Sequence, residues 1–168
     1  MTDLIACHGC GAEVEDLPGK PHPYFGASAG CWEVYCKILA KEYGEYGYPE
    51  PAHQLTVDTY AVEHPGQPER RSIQSVNGHL ASLCLALERG IEGREATRTM
   101  GRILAREKHL EWLEPPSFEG RMTVLDVVDA GSREEHCDRV GRWARDVWEA
   151  WSPHQARVRE MVEGYLDR

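Results

Sequence analysis

The sequence predicts an all-α fold, a bundle of about five helices over residues 31–168 preceded by a loop over 1–30, all within one domain. Two observations carry that expectation. Apolar residues recur at steps of three and four along several long stretches, as Val76, Leu80, Leu83 and Leu87 do. Glycine and proline fall between those stretches and are densest in the first 30 residues, in "CHGCG" and "LPGKPHPYFGASAG". A chain of 168 residues, 41% apolar and 28% charged, is long enough to bury one core and short for two. No internal repeat, low-complexity tract or linker divides it.

The elements follow in order. The first 30 residues lack any sustained apolar period and read as loop and turn. A first helix begins after Ser28 and runs through the mid-40s, where Gly44, Gly47 and Pro49 stop it; Trp32, Tyr35, Ile38 and Leu39 give it an apolar stripe. A short second helix spans about Gln54 to Glu63, ended by Pro65 and Gly66. "RRSIQSVNGHLASLCLALERG" makes a third, closed by Gly90. The fourth continues from "REATRTMGRILAREKHLEWLEPP" to the Pro115–Pro116 stop. "TVLDVVDAG" suits a short helix better than a strand. The last helix opens with Ser132 three residues before Glu135, a capping-box spacing, and carries Val140, Trp143, Val147 and Trp151 on one stripe until Pro153 kinks or breaks it.

Six cysteines in a chain whose start "MTDLIACHGCGAEVED" has no basic n-region and no long apolar stretch read as thiols or metal ligands, and the expected location is cytoplasmic. In "CHGCG" two cysteines three apart, followed by glycine, form a knuckle whose thiolates can face one cation. Such a knuckle is half a site. Cys31, in the first turn of the first helix, is the natural third ligand, because a helix N-terminus stabilises a thiolate. The fourth is His22 or Cys36, with His8 an outsider; Cys36 lies about 140° round the helix from Cys31, which favours His22. The expected set is Cys7, Cys10, His22 and Cys31 around a structural zinc. A redox Cys-x-x-Cys pair would open a helix after a strand, which this glycine-flanked loop does not resemble.

A second constellation lies in "DTYAVEHPGQPERRSIQSVNGHL". Helical periodicity puts Asp58 on the face of Leu55 and Val62, and His79 on the face of Val76 and Leu83, so both point inward. A buried carboxylate is costly unless paired, and an imidazole N–H supplies the pairing, so an Asp58–His79 contact satisfies both. With His64 at the turn, these three residues are candidates for acid–base catalysis or for a second, open divalent metal site. The alternative is a polar clasp that only keeps helices in register. Arg70 and Arg71, on the intervening loop, stand ready for an anionic group. His53 is a nearby polar candidate, His136 reads as a capping or surface residue before a cover for this site from the last helix, and Trp143, Trp148 and Trp151 read as core and rim packing.

A net charge of −9 works against nucleic-acid or anionic-membrane binding, which needs a cationic face. No stretch approaches the roughly 18 to 20 apolar residues that cross a bilayer. There is no Gly-rich phosphate loop, Gly-x-Ser-x-Gly elbow or His-Glu-x-x-His helix, which weakens nucleotide binding, α/β-hydrolase chemistry and zincin proteolysis. Two classes of function remain. One is a small zinc-containing metalloenzyme acting on a small polar or anionic molecule; the other is a zinc-stabilised helical module that binds a protein partner without catalysis.

The segments "CHGCGA", "PHPYFGASAGCWEVY", "LTVDTYAVEHPG", "QSVNGHLASLCLALERG" and "WARDVWEAWSPH" together resemble a bacterial family known only as a domain of unknown function. The resemblance spans nearly the whole chain. It implies that these segments belong to one domain, and it draws attention to Cys7, Cys10, His22, Cys31, Asp58, His64 and His79. It implies no activity, substrate or partner. Glu63 stands before His-Pro-Gly where the resemblance leads one to expect glutamine.

Overall fold

The structure is a computed structural model that describes residues 2–168. Two short antiparallel strands, β1 (Leu4–Ala6) and β2 (Glu13–Glu15), precede six helices: α1 (Ala29–Tyr43), α2 (Ala52–Glu63), α3 (Arg70–Arg89), α4 (Gly93–Arg106), α5 (Arg133–Ala150) and α6 (Gln155–Leu166). The all-α architecture is as the periodicity predicts, with several differences in detail.

The segment expected to be loop alone contains a hairpin. Leu4 pairs with Glu15, Ile5 with Val14 and Ala6 with Glu13, and the Cys-His-Gly-Cys turn closes the strands. Three-residue strands give too little alternation to be recognised in sequence. The fourth helix stops at Arg106, well before Pro115–Pro116; residues 107–118 form neither helix nor strand. The "TVLDVVDAG" segment forms only a 3-10 turn at Val124–Asp126, capped by Thr123. Pro153 does break the last helix: a 3-10 turn at Ser152–His154 separates α5 from α6, which brings the count to six. The Ser132 side chain accepts from the Glu135 N–H at 3.1 Å, so that cap forms as expected. Arg70 and Arg71 lie in the first turn of α3, not on a loop.

α2 is the centre of the bundle. It packs against α3 on one side and α5 on another, and nine of its twelve residues are buried, including His53, Thr56, Asp58, Thr59 and Glu63. A helix with this much polar content survives there because most of its polar groups meet a partner on a neighbouring element, the Thr59 hydroxyl and one Glu63 oxygen excepted. Its first turn meets α1. Glu42, fully buried on α1, accepts from His53 Nδ1 at 2.7 Å, from Thr56 Oγ1 at 2.6 Å and from His136 Nε2 of α5 at 2.7 Å. The two imidazoles must present N–H to an acceptor-only carboxylate. His136, read in sequence as capping, surface or cover, is thus a buried donor that joins α5 to α1. Trp143 and Trp151 are fully buried and Trp148 nearly so, as the stripe predicts.

Burial pushes the Glu42 carboxyl up, but the hydrogen bonds from His136, His53 and Thr56 outweigh it and hold the group below its usual range. A carboxyl whose folded pKa is depressed contributes stability above its unfolded pKa and loses it as pH falls through the folded value. Glu42→Gln is therefore expected to cost about 3–5 kcal/mol near neutral pH, by leaving two buried imidazole donors without their anion. Urea denaturation of wild type and variant should show that difference shrinking below about pH 4, where an unperturbed glutamate also protonates.

Candidate metal centre

The cysteine knuckle, the start of α1 and the end of α2 meet at one buried point. Cys7 and Cys10 come from the β1–β2 turn, Cys31 from the first turn of α1, and His64 from the residue that ends α2. One donor atom from each lies within 4.8 Å of the others, and all four residues are buried. The Cys10 and Cys31 sulfurs are 3.8 Å apart, and Cys31 Sγ is 3.4 Å from His64 Nε2. A tetrahedral zinc with Zn–S near 2.3 Å and Zn–N near 2.05 Å separates two sulfurs by about 3.8 Å and a sulfur from a nitrogen by about 3.6 Å. The donor set fits a tetrahedral cation in both chemistry and size.

The surroundings orient these donors. His64 Nδ1 donates to the Tyr60 carbonyl at 2.8 Å, one turn back on α2, which fixes the tautomer that leaves the Nε2 lone pair facing the sulfurs. The Ser28 N–H donates to Cys7 Sγ at 3.5 Å, and the Tyr60 hydroxyl to Cys31 Sγ at 3.6 Å. Contacts from Cys10 and then Cys31 hold the Cys7 thiol far below its usual range, while contacts with Cys31 and Cys7, together with burial, push Cys10 far above. A divalent cation among three such crowded sulfurs lets all three bind as thiolates.

The knuckle is closely fitted to the histidine. A Cβ on Gly9 would lie 2.5 Å from His64 Cδ2 and 2.5 Å from the Gly26 carbonyl oxygen. Only glycine lets the turn lie this close to the ring, which explains why the central residues of "CHGCG" include one.

The sequence-predicted residues are thus regrouped. Cys7, Cys10 and Cys31 come together as expected. His22 is not with them: its Nδ1 accepts from the Tyr24 and Phe25 backbone N–H groups at 3.3 and 3.1 Å, and its ring stacks on Phe25. Cys36 is exposed on α1, away from the cluster. His64, expected to be exposed at its turn and to join Asp58 and His79, is fully buried and sits with the cysteines. The three-residue constellation of Asp58, His64 and His79 is therefore not assembled. Chain folding decides this, because Pro65 and Gly66 turn away only after His64 has been delivered to the end of α2 where the knuckle docks.

Asp58 and His79 do meet. His79 Nδ1 donates to Asp58 Oδ1 at 2.7 Å, Gln54 Nε2 donates to the same oxygen at 2.8 Å, and Ser82 Oγ donates to Oδ2 at 2.5 Å. Thr97 of α4 in turn donates to Gln54 Oε1 at 2.7 Å. Asp58 is fully buried, whereas the His79 side chain is 18% exposed and borders a cleft of about 400 Å³ between α3 and α4. Sequence reading missed Glu42, Gln54 and Ser82 as the partners of these groups; Gln54 and Ser82, one turn before Asp58 and three residues after His79, were the available signal.

Glu63 is fully buried beside Trp143, whose Nε1 donates to Oε2 at 3.3 Å. Burial pushes its carboxyl well above the usual range.

These features define a helical protein with a buried three-cysteine, one-histidine cluster able to hold a metal ion. The chain belongs to the family of unknown function DUF5946, whose model matches residues 5–152, a span that includes the cluster and the Asp58–His79 pair. No curated protein and no solved structure matches it. No helix among the described residues is long and apolar enough to cross a membrane.

If His64 is the fourth ligand, elemental analysis of purified His64→Ala should show bound metal falling to a small fraction of the wild-type content, whereas His22→Ala should keep it. Equal metal content in the two variants would remove His64 from the ligand set.

Proposed function

We propose that the protein is a small enzyme of the cytoplasm in which a zinc ion at Cys7, Cys10, Cys31 and His64 has a structural role, and in which His79, oriented by Asp58, performs acid–base chemistry on a small polar or anionic molecule. The zinc reading is supported by the donor distances and by four protein ligands, which leave no open coordination position. Its work would be to pin the β1–β2 hairpin against α1 and the end of α2. It would hold the fold and take no part in the chemical step.

One observation carries the catalytic reading. His79 donates Nδ1–H to a buried carboxylate, and among the described residues its Nε2 has no partner while the residue lines the cleft. A general base needs its lone pair held in one direction with a path to the substrate, and this is the arrangement that supplies both. A clasp that served packing alone would have no need of the opening. The negative charge of the chain supports a small-molecule substrate over nucleic acid.

Nitrogen-detected NMR of the imidazoles tests the reading directly. Neutral His79 is expected as the Nδ1–H tautomer with an unprotonated Nε2, and Asp58→Asn is expected to disturb that preference. A proton on Nε2 instead would make His79 a structural donor and favour the binding-module alternative. Loss of a general base typically lowers turnover about 10²- to 10⁴-fold, so His79→Ala should show that drop on any substrate found, with bound zinc unchanged.

A further inference from the structure

The cleft beside His79 is built from two unlike walls. One is a polar stripe on α3: Arg71, Gln74, Ser75 and His79 recur at steps of three, one and four and so share a face. The other is apolar, from Met100 and Leu104 of α4, with Tyr24 at the edge. From this arrangement we propose that the cleft binds a small monocarboxylate bearing a short apolar chain, with Arg71 pairing with the carboxylate, Met100 and Leu104 covering the chain, and His79 Nε2 facing the reacting part. The proposal rests on the acid–base reading only for the role of His79.

Three independent features support it. The first is the state of the polar wall. Among the described residues, neither Arg71 nor Gln74 has a side-chain hydrogen bond or ion pair, and both are exposed on the wall of the cleft. The second is the placing of the cations. Arg70 and Arg71 occupy the first turn of α3, which holds no acidic residue, and the helix dipole disfavours positive charge there. In a chain with a net charge of −9, two unpaired arginines at a helix N-terminus make a local field suited to an anion.

The third is Gly78, between Ser75 and His79 on the same face. Glycine in a helix interior is unfavourable relative to alanine, so its presence asks for a reason. A Cβ there would lie 2.8 Å from Leu104 Cδ1 and 3.4 Å from Met100 Sδ. Gly78 therefore lets α4 close over α3 and sets where the apolar wall stands. A single planar guanidinium matches the two oxygens of a carboxylate, and an apolar wall beside it matches a short alkyl chain better than a phosphate group.

The test uses the full-length, metal-loaded protein and hexanoate as probe, followed by NMR of the Met100 methyl and His79 ring signals. Saturable shifts at both are expected, with hexanamide, acetate and inorganic phosphate each binding about tenfold or more weakly, as the loss of a charged hydrogen bond or of the apolar chain implies. Arg71→Ala, an exposed position whose change spares the core, should weaken hexanoate binding about tenfold. Gly78→Ala, which keeps every polar group and pushes Leu104 into the cleft, should weaken it as well. Equal binding of hexanoate and hexanamide, tighter binding of phosphate, an unaffected Arg71→Ala or no saturable shift would each overturn the carboxylate site. The His79 tautomer is read in the same spectra. An Nδ1–H tautomer without hexanoate binding would overturn this proposal alone, and an Nε2–H tautomer would overturn the acid–base reading.

Discussion

The rest of the structure depends on the burial of α2. A helix enclosed on nearly all sides would ordinarily be apolar, yet this one carries His53, Thr56, Asp58, Glu63 and, at its end, His64 into the interior. Each has at least one partner, because an unpaired polar group out of water costs about as much as a good share of a domain's net stability. The partners come from every side. Glu42 of α1 takes His53 and Thr56, His79 and Ser82 of α3 take Asp58, Trp143 of α5 takes Glu63, and the cysteines of the hairpin and α1 take His64. Apolar packing supplies the bulk of the stability, and these contacts fix which helix lies against which.

The same constraint separates two chemistries that lie close in sequence. Asp58 and His64 are six residues apart along α2 and its end, but they leave it on different faces. His64 goes to a cluster that is closed on all sides and therefore suited to holding the fold. Asp58 reaches His79, whose far edge meets solvent in the cleft. Closure suits a structural ion and access suits a reacting group, which is why the proposed function divides the two roles in this way.

Much of this was legible in the chain. The helices were visible because a face buried against neighbours imposes the 3.6-residue period on leucine, valine and tryptophan. The Asp58–His79 pair was visible because both residues sit in apolar stripes, where an acid must find a donor. The knuckle was visible from two cysteines at ligand spacing. What escaped was long-range pairing. His22 and His64 are both histidines in proline-containing turns, and nothing local distinguishes the one that stacks on Phe25 from the one that meets three sulfurs. Glu42 carried no mark at all, since its two imidazoles come from 11 and 94 residues away.

The sequence by itself determined the fold class, the positions of most helices, three of the four clustered metal-type ligands and the inward direction of Asp58 and His79. These are consequences of periodicity and spacing, which act over one or two helical turns. Only the tertiary structure decided that His64 completes the cysteine cluster, that Glu42 gathers His53 and His136, and that His79 opens onto a cleft. Those outcomes depend on how helix ends meet in space, and no local pattern encodes the distance between residues that the chain brings together only after it has packed.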